Sequence, residues 1–200
     1  PVCGPMIWLE GTTSLLSSLP LPDKAGETDS RVRNEHARRL AVYGLPPETI
    51  TGNRAVLLLL QALKKGCIAA VRGLGGFHLV CDALNAEAVN RLRQRKHRPD
   101  KALAVMTADL EHAEHFAVLG PDDSDTRRQL LSPQRPIVIC PRQKGSLPDI
   151  LAPGLSSIGI MLPSTPLHHL LFHPEWAGGQ PEEALPVLVM TSGNAGGEPI

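Results

Sequence analysis

The chain has 200 residues, and its 20 Lys and Arg balance 20 Asp and Glu, so no global field draws it to nucleic acid or membrane and basic recognition must be local. Hydrophobic residues make up 42% and charged residues 20%, ordinary for a globular domain, while 3% aromatics argue against stacking platforms for single-stranded nucleic acid. The longest strongly apolar run, Ala55 to Leu60, is far too short to cross a bilayer, so no membrane partner is expected.

No basic-then-apolar leader opens the chain. Pro1 stands first and Ile200 follows directly on a functional-looking loop, which reads as a piece of something longer. Cys3, Cys67, Cys81 and Cys140 include no CxxC pair. Cys67, Cys81 and Cys140 sit in apolar stretches that suit reduced thiols, so a cytoplasmic location is expected.

Residues 1–22 form a short apolar and turn-rich piece ending in Leu19-Pro20-Leu21-Pro22. Residues 23–52 are polar and without period, a linker with a loose helix around Arg33 to Val42. The compact part, 53–200, starts with Asn53 capping a helix through Lys65, where Gly66 ends it. A buried strand over 67–72, a Gly73-Leu74-Gly75-Gly76 turn and a strand over 77–81 follow. Ala86, Val89 and Leu92 give a helix over 85–95 its inward face, and 102–106 reads as a strand. Thr107 can cap a helix to about Val118, and 123–131 forms another. Strands are expected over 136–140 and 157–162. Ser164-Thr165-Pro166 then opens a helix with a hydroxyl cap and a proline in its first turn. A last buried strand covers 186–190. Strands alternating with helices predict an α/β fold with a twisted mixed sheet.

Chemistry concentrates in few places. Between Arg91 and Lys101 stand Arg91, Arg93, Arg95, Lys96, Arg98 and Lys101 with only Asp100 against them. Arg91, Arg95 and Arg98 share a helical face until Pro99 stops the helix. This is either a solvated helix end, its cations favoured by the C-terminal dipole, or a clamp for triphosphate oxygens or an RNA backbone. Thr191-Ser192-Gly193-Asn194 ends the last strand, where open α/β sheets bind ligands, although the same residues also suit a plain turn.

Gly73-Leu74-Gly75-Gly76 lacks the spacing of a P-loop, leaving a simple turn or a close backbone approach to a small ligand beside His78. His169 and His173 are four residues apart on a helix, but no cysteine or carboxylate nearby completes a zinc site. Adjacent His168 and His169 diverge too far to share an ion.

Five blocks in order carry a resemblance. They are Gly73-Leu74-Gly75-Gly76-Phe77-His78-Leu79 with Cys81-Asp82-Ala83; Arg95-Lys96-His97-Arg98-Pro99 with Leu103-Ala104-Val105-Met106; Ile150-Leu151-Ala152-Pro153-Gly154-Leu155; Met161-Leu162-Pro163; and Val189-Met190-Thr191-Ser192-Gly193-Asn194. Over about 66–200 the chain resembles the YrdC-like domain of the HypF carbamoyltransferases, which serve [NiFe] hydrogenase maturation. Residues 1–11 resemble the end of the zinc-binding segment that precedes that domain, so Cys3 would hold Zn2+ only in a longer parent protein.

The resemblance implies a YrdC-like fold, incomplete at its C-terminal end. It also implies that carbamate, released from carbamoyl phosphate, is joined to ATP with Mg2+, and that the carbamoyl group is finally passed to HypE. Its K-x-R and S-x-N motifs, which hold the nucleotide, fall on Lys96 and Arg98, and on Ser192 and Asn194. Lys101 and Thr191 are expected to assist there, with Lys96 and Arg98 in the catalytic role. Gly75, Gly76, Phe77 and His78 are expected on the carbamoyl side.

The chain departs from the pattern at Ala102 and at Ala195-Gly196-Gly197, and its 23–52 linker is long. Two other functions compete. A relative making threonylcarbamoyl-adenylate for tRNA would carry a threonine-rich segment where Gly-Gly-Phe-His-Leu stands. A double-stranded RNA module would use the basic patch by shape.

Overall fold

The computed structural model describes Trp8–Leu9 and residues 50–73 and 75–193. A two-stranded antiparallel ribbon joins β1 (Trp8–Leu9) to β2 (Ile50–Thr51). The first helix, α1 (Gly52–Lys64), follows at once, so Thr51 rather than Asn53 is its boundary residue. Gly66 closes it at φ +80°, as expected of a glycine past a helix end. Strand β3 (Ala69–Arg72) turns back into β4 (Phe77–Asp82), and α2 (Ala86–Arg95) is capped by Asn85, which accepts from the Ala88 N–H at 3.0 Å. Next come β5 (Val105–Thr107), α3 (Leu110–Glu114), α4 (Asp125–Leu131), β6 (Val138–Pro141), β7 (Ser157–Met161), α5 (Pro166–Phe172) and β8 (Val187–Ser192).

Six strands form one mixed sheet in the order β3-β4-β8-β5-β7-β6. Only β5 and β7 are parallel; every other neighbour runs antiparallel. Side chains alternate across it. Cys81, Val105, Ile160, Val187 and Val189 pack on one face with Ala88, Val89 and Leu92 of α2. Val80, Met106, Leu188 and Met190 pack on the other with Val56, Leu60 and Leu63 of α1 and Leu171 and Phe172 of α5. Each fully buried Leu or Phe contributes about 1.5–3 kcal/mol, so both layers are integral to stability. The run Ala55–Leu60 is buried all round because Leu58, on the far side of α1, is covered with Ala62 by Ile50 and Cys67.

Two expectations are corrected locally. The 107–118 helix shrinks to five residues capped by Asp109, which accepts from the His112 N–H at 2.9 Å, while the Thr107 hydroxyl donates to the Asp109 carbonyl. Its continuation is extended because Val118 N–H donates to Pro141 and Gln143 N–H to Phe116, tying it to the end of β6. The strand foreseen over 102–106 is confined to 105–107, since Leu103 N–H is spent on the Leu151 carbonyl. A 3-10 turn at Asp149–Leu151, unforeseen, provides that carbonyl. Residues 1–7 and 10–49, including Cys3 and the proposed Arg33–Val42 helix, lie outside the described residues.

Candidate nucleotide site

The helix α2 does not run on to Pro99. Arg98 N–H donates to the Arg93 carbonyl and His97 N–H to Gln94, both at 3.1 Å, with His97 left-handed at φ +50° between them. This is a Schellman ending with histidine where glycine is usual. It takes Lys96 and Arg98 off the helix as parts of a reversal, so the i, i+4, i+7 face of Arg91, Arg95 and Arg98 is not formed.

The arginines of this stretch are not equivalent. Arg93 is buried and gives its whole guanidinium to carbonyl oxygens: Nε to Ile150 at 2.5 Å, Nη2 to Leu151 at 3.0 Å, and Nη1 to Arg98, Pro99 and Lys101 at 2.9, 3.1 and 3.1 Å. It staples the 98–101 loop to the 3-10 turn. Arg91 likewise donates to the Gly66 carbonyl at 2.6 Å. The sequence left both open between solvated and ligand-facing charge; the structure makes them scaffold. The partners of Arg93 are backbone carbonyls, so no residue type in the sequence signals them.

Lys96 reaches across the end of the sheet. Its side chain is only 8% exposed, and Nζ donates to the Ser192 carbonyl at 2.5 Å. Burial, with Arg98 adding repulsion, holds its ammonium below the ordinary lysine range. The two sequence segments 96 residues apart therefore meet, through the backbone oxygen of Ser192 rather than its hydroxyl. Arg98 is half-buried and lines an open depression of about 490 Å³ with Asn90, Gln94, His97, Pro99 and Ile150. Lys101 is exposed.

At β8, Thr191 is buried opposite Leu79, and Ser192 lies opposite His78 of β4. Gly193 N–H donates to the Phe77 carbonyl at 2.6 Å, and a Cβ on Gly193 would meet that oxygen at 2.9 Å. Only glycine lets the strand end close here. Gly75 and Phe77 are exposed, Gly76 and His78 half-buried, and Gly73 N–H donates to the Gly76 carbonyl at 2.7 Å. Asn194 lies outside the described residues. Lys96, Thr191, Ser192, Phe77 and His78 are thus gathered at one end of β4 and β8, Arg98 sits beyond the α2 reversal, and Lys101 is tied in by its backbone.

Across the sheet, His78 stacks on His168 with ring centroids 5.8 Å apart. His168 had been weighed only as a metal ligand. Among the described residues no group of three potential metal ligands exists, and His173 stacks on Trp176 at 4.3 Å instead. Cys67, Cys81 and Cys140 are free thiols; burial pushes Cys81 up to about 12, which keeps it inert.

Residues 61–200 match the model of the Sua5/YciO/YrdC family, described as telomere recombination. The chain belongs to this family. It is 49% identical over 145 residues to a carbamoyltransferase HypF of Rhodobacter capsulatus, covering 72% of the chain and 18% of that relative. A crystal structure of full-length HypF in a phosphate- and nucleotide-bound form superposes with a TM-score of 0.64 at 40% identity, over 73% of this chain and 18% of that one. A variant of Sua5 from P. abyssi, at 20% identity and a TM-score of 0.60 over 74% of this chain and 40% of that one, shares the fold. The chain therefore spans about a fifth of the length of the HypF relatives it matches, and its mixed sheet with flanking helices is that of the family.

Proposed function

We propose that this chain binds ATP at the junction of Lys96 and Ser192 and joins carbamate to it, as the adenylate-forming part of a HypF-type carbamoyltransferase. The observation that carries this reading is the buried Lys96 ammonium held on the Ser192 carbonyl, which unites the two motif segments at one sheet end. The names of the 35–49% identical relatives, all carbamoyltransferases HypF, supply the reaction class.

A carbamate oxygen attacks the α-phosphorus of ATP. The new O–P bond forms as the bond to the bridging oxygen breaks, and that electron pair leaves with pyrophosphate. Negative charge spreads over the phosphate oxygens in the transition state, and cations fixed in a poorly solvated site stabilise it. Lys96 meets that need, since a phosphate oxygen would take over the ammonium now shared with a neutral carbonyl and raise its depressed pKa. Arg98 supplies a second, more exposed charge, and Lys101 a third from the loop. Thr191, Ser192 and Asn194 would position phosphate or ribose without adding charge. Held beside the nucleotide by the Gly75–His78 segment, carbamate gains chiefly from proximity.

Magnesium would arrive on the phosphates, where it neutralises charge; the cations and hydroxyls gathered here suit the phosphates rather than a resident metal. HypE as acceptor, and zinc on Cys3, would come into play only in a longer parent protein.

The test is exchange of labelled pyrophosphate into ATP, dependent on bicarbonate plus ammonium as the source of carbamate. The expected result is exchange that needs both and falls at least 100-fold in Lys96→Met. Exchange independent of carbamate, or untouched by the substitution, overturns the reading. Duplex RNA binding without ATP binding would make the basic patch an RNA surface, and steep salt dependence would mark it.

A further inference from the structure

His168 is 1% exposed, yet its Nε2 has no hydrogen-bond partner; His78 Nδ1, across the 5.8 Å ring stack, has none either. Buried polar nitrogens left unpaired cost about 1–3 kcal/mol each. Arg54 Nε, Gln61 Oε1 and Arg142 Nη1 are also unpaired among the described residues, but only at His78 and His168 do two such atoms belong to stacked rings. The tautomer of His168 follows from its other nitrogen. The Ser164 backbone N–H donates to His168 Nδ1 at 3.3 Å, and the Ser164 hydroxyl lies at the same distance. A neutral ring that accepts at Nδ1 carries its proton at Nε2. The unpartnered nitrogen is therefore a buried N–H donor. Burial, then His78 and His169, lower the His168 pKa to about 4, so the ring is neutral at physiological pH.

Its position is set by packing. Thr165 caps α5 by accepting from the His168 N–H at 3.2 Å, which fixes the helix turn carrying the ring. His78 is wedged from the other side: a Cβ on Gly73 would meet its Cε1 at 2.9 Å. Ser192 stands opposite His78 on the neighbouring strand, about 5 Å away, and its carbonyl holds Lys96.

We infer that His168 and His78 form the carbamoyl-binding wall of this site, His168 donating its Nε2–H to a carbamate oxygen and His78 using Nδ1 on the same ligand. Carbamate is small and planar and offers both oxygen acceptors and N–H donors, so it satisfies one fixed donor and either tautomer of the second ring. Neutral imidazoles suit the task. A cationic pair would hold carbamate as a tight ion pair and blunt the oxygen that must attack phosphorus. The inference rests on the adenylating reading above and assigns the second substrate's position within it; His168 is a substrate-positioning residue, with no proton transfer assigned to it.

The test has two readouts on the full 200-residue chain. Nitrogen-15 spectra of the imidazoles should show His168 protonated at Nε2. That resonance should shift saturably when bicarbonate plus ammonium is added with ATP and Mg2+, and not with ATP and Mg2+ alone. His168→Leu should raise the KM for carbamate in pyrophosphate exchange at least 10-fold with the ATP Kd unchanged. His168→Gln, which keeps an N–H near the Nε2 position, should recover most of it. A proton found on Nδ1, a carbamate KM unmoved in His168→Leu, or an equal loss of ATP affinity overturns the inference. If wild type shows no exchange but the His168 signal still responds to carbamate, the inference stands and the adenylating function fails; silence in the spectra sinks the inference even where exchange proceeds.

Discussion

The arginine-rich stretch after α2 and the histidine pair beneath β4 look alike in one respect, since each gathers polar nitrogens at the same end of the sheet. They differ in how those nitrogens are satisfied. Every nitrogen of the Arg93 guanidinium is bonded to the fold's own carbonyls. His168 and His78 each keep one nitrogen bare in the interior. A charge-dense sequence can thus be mostly structural, while two isolated histidines carry the open valence. Here the unpaired histidine nitrogens, more than the charge density, mark the candidate ligand contact.

The largest expected effect lies on the scaffold side. Arg93→Met leaves five carbonyl interactions without a donor and should lower unfolding free energy by on the order of 3 kcal/mol, seen as a shifted urea midpoint. Exposed Arg95→Met, two residues on, should stay within about 0.5 kcal/mol of wild type. Equal effects at the two positions would erase the distinction.

Acid stability sharpens the histidine side. The folded pKa of His168 lies near 4, below the ordinary 6.5, so on acidification the unfolded chain takes up the proton first. Stability from this group is intact above about pH 6.5 and falls as pH drops towards 4, by about 3 kcal/mol in all. The charges it meets are those of His78 and His169, and both of those rings are themselves held towards neutrality by burial. His168→Gln should flatten that part of the stability–pH curve; an unchanged slope would mean the ring is not buried neutral.

Smaller effects test the backbone that presents both regions. Gly193→Ala brings a Cβ to 2.9 Å from the Phe77 carbonyl and should cost about 1 kcal/mol, with loss of ATP affinity as the β8 end shifts. His97→Gly relieves a left-handed residue and should stabilise by about 0.5 kcal/mol in thermal unfolding.

Much of this was legible in the sequence. Apolar periodicity and turn residues located the helices 52–64, 86–95 and 166–172 and the strands around 77–82, 157–161 and 187–192, because those elements bury one face or both. The Lys96 and Ser192 segments were singled out by charge and by their place after buried stretches. Long-range partners were not legible. Nothing local reveals that Arg93 will be taken by carbonyls of the 3-10 turn 57 and 58 residues away, or that His168 will lie against His78. The 107–118 helix stops short for the same reason: pairing of Phe116–Val118 with the end of β6 outweighs continuation of the helix past Glu114.

The most direct measurement is calorimetric titration of the chain with ATP and Mg2+, compared with Lys96→Ala/Arg98→Ala. The account predicts saturable one-to-one binding in wild type, lost at least 30-fold in the double variant, with the alkaline limb of affinity falling below the ordinary lysine pKa of about 10.4 because burial depresses Lys96. A folded wild-type chain that takes up no ATP, or a double variant that binds it equally well, would contradict the account.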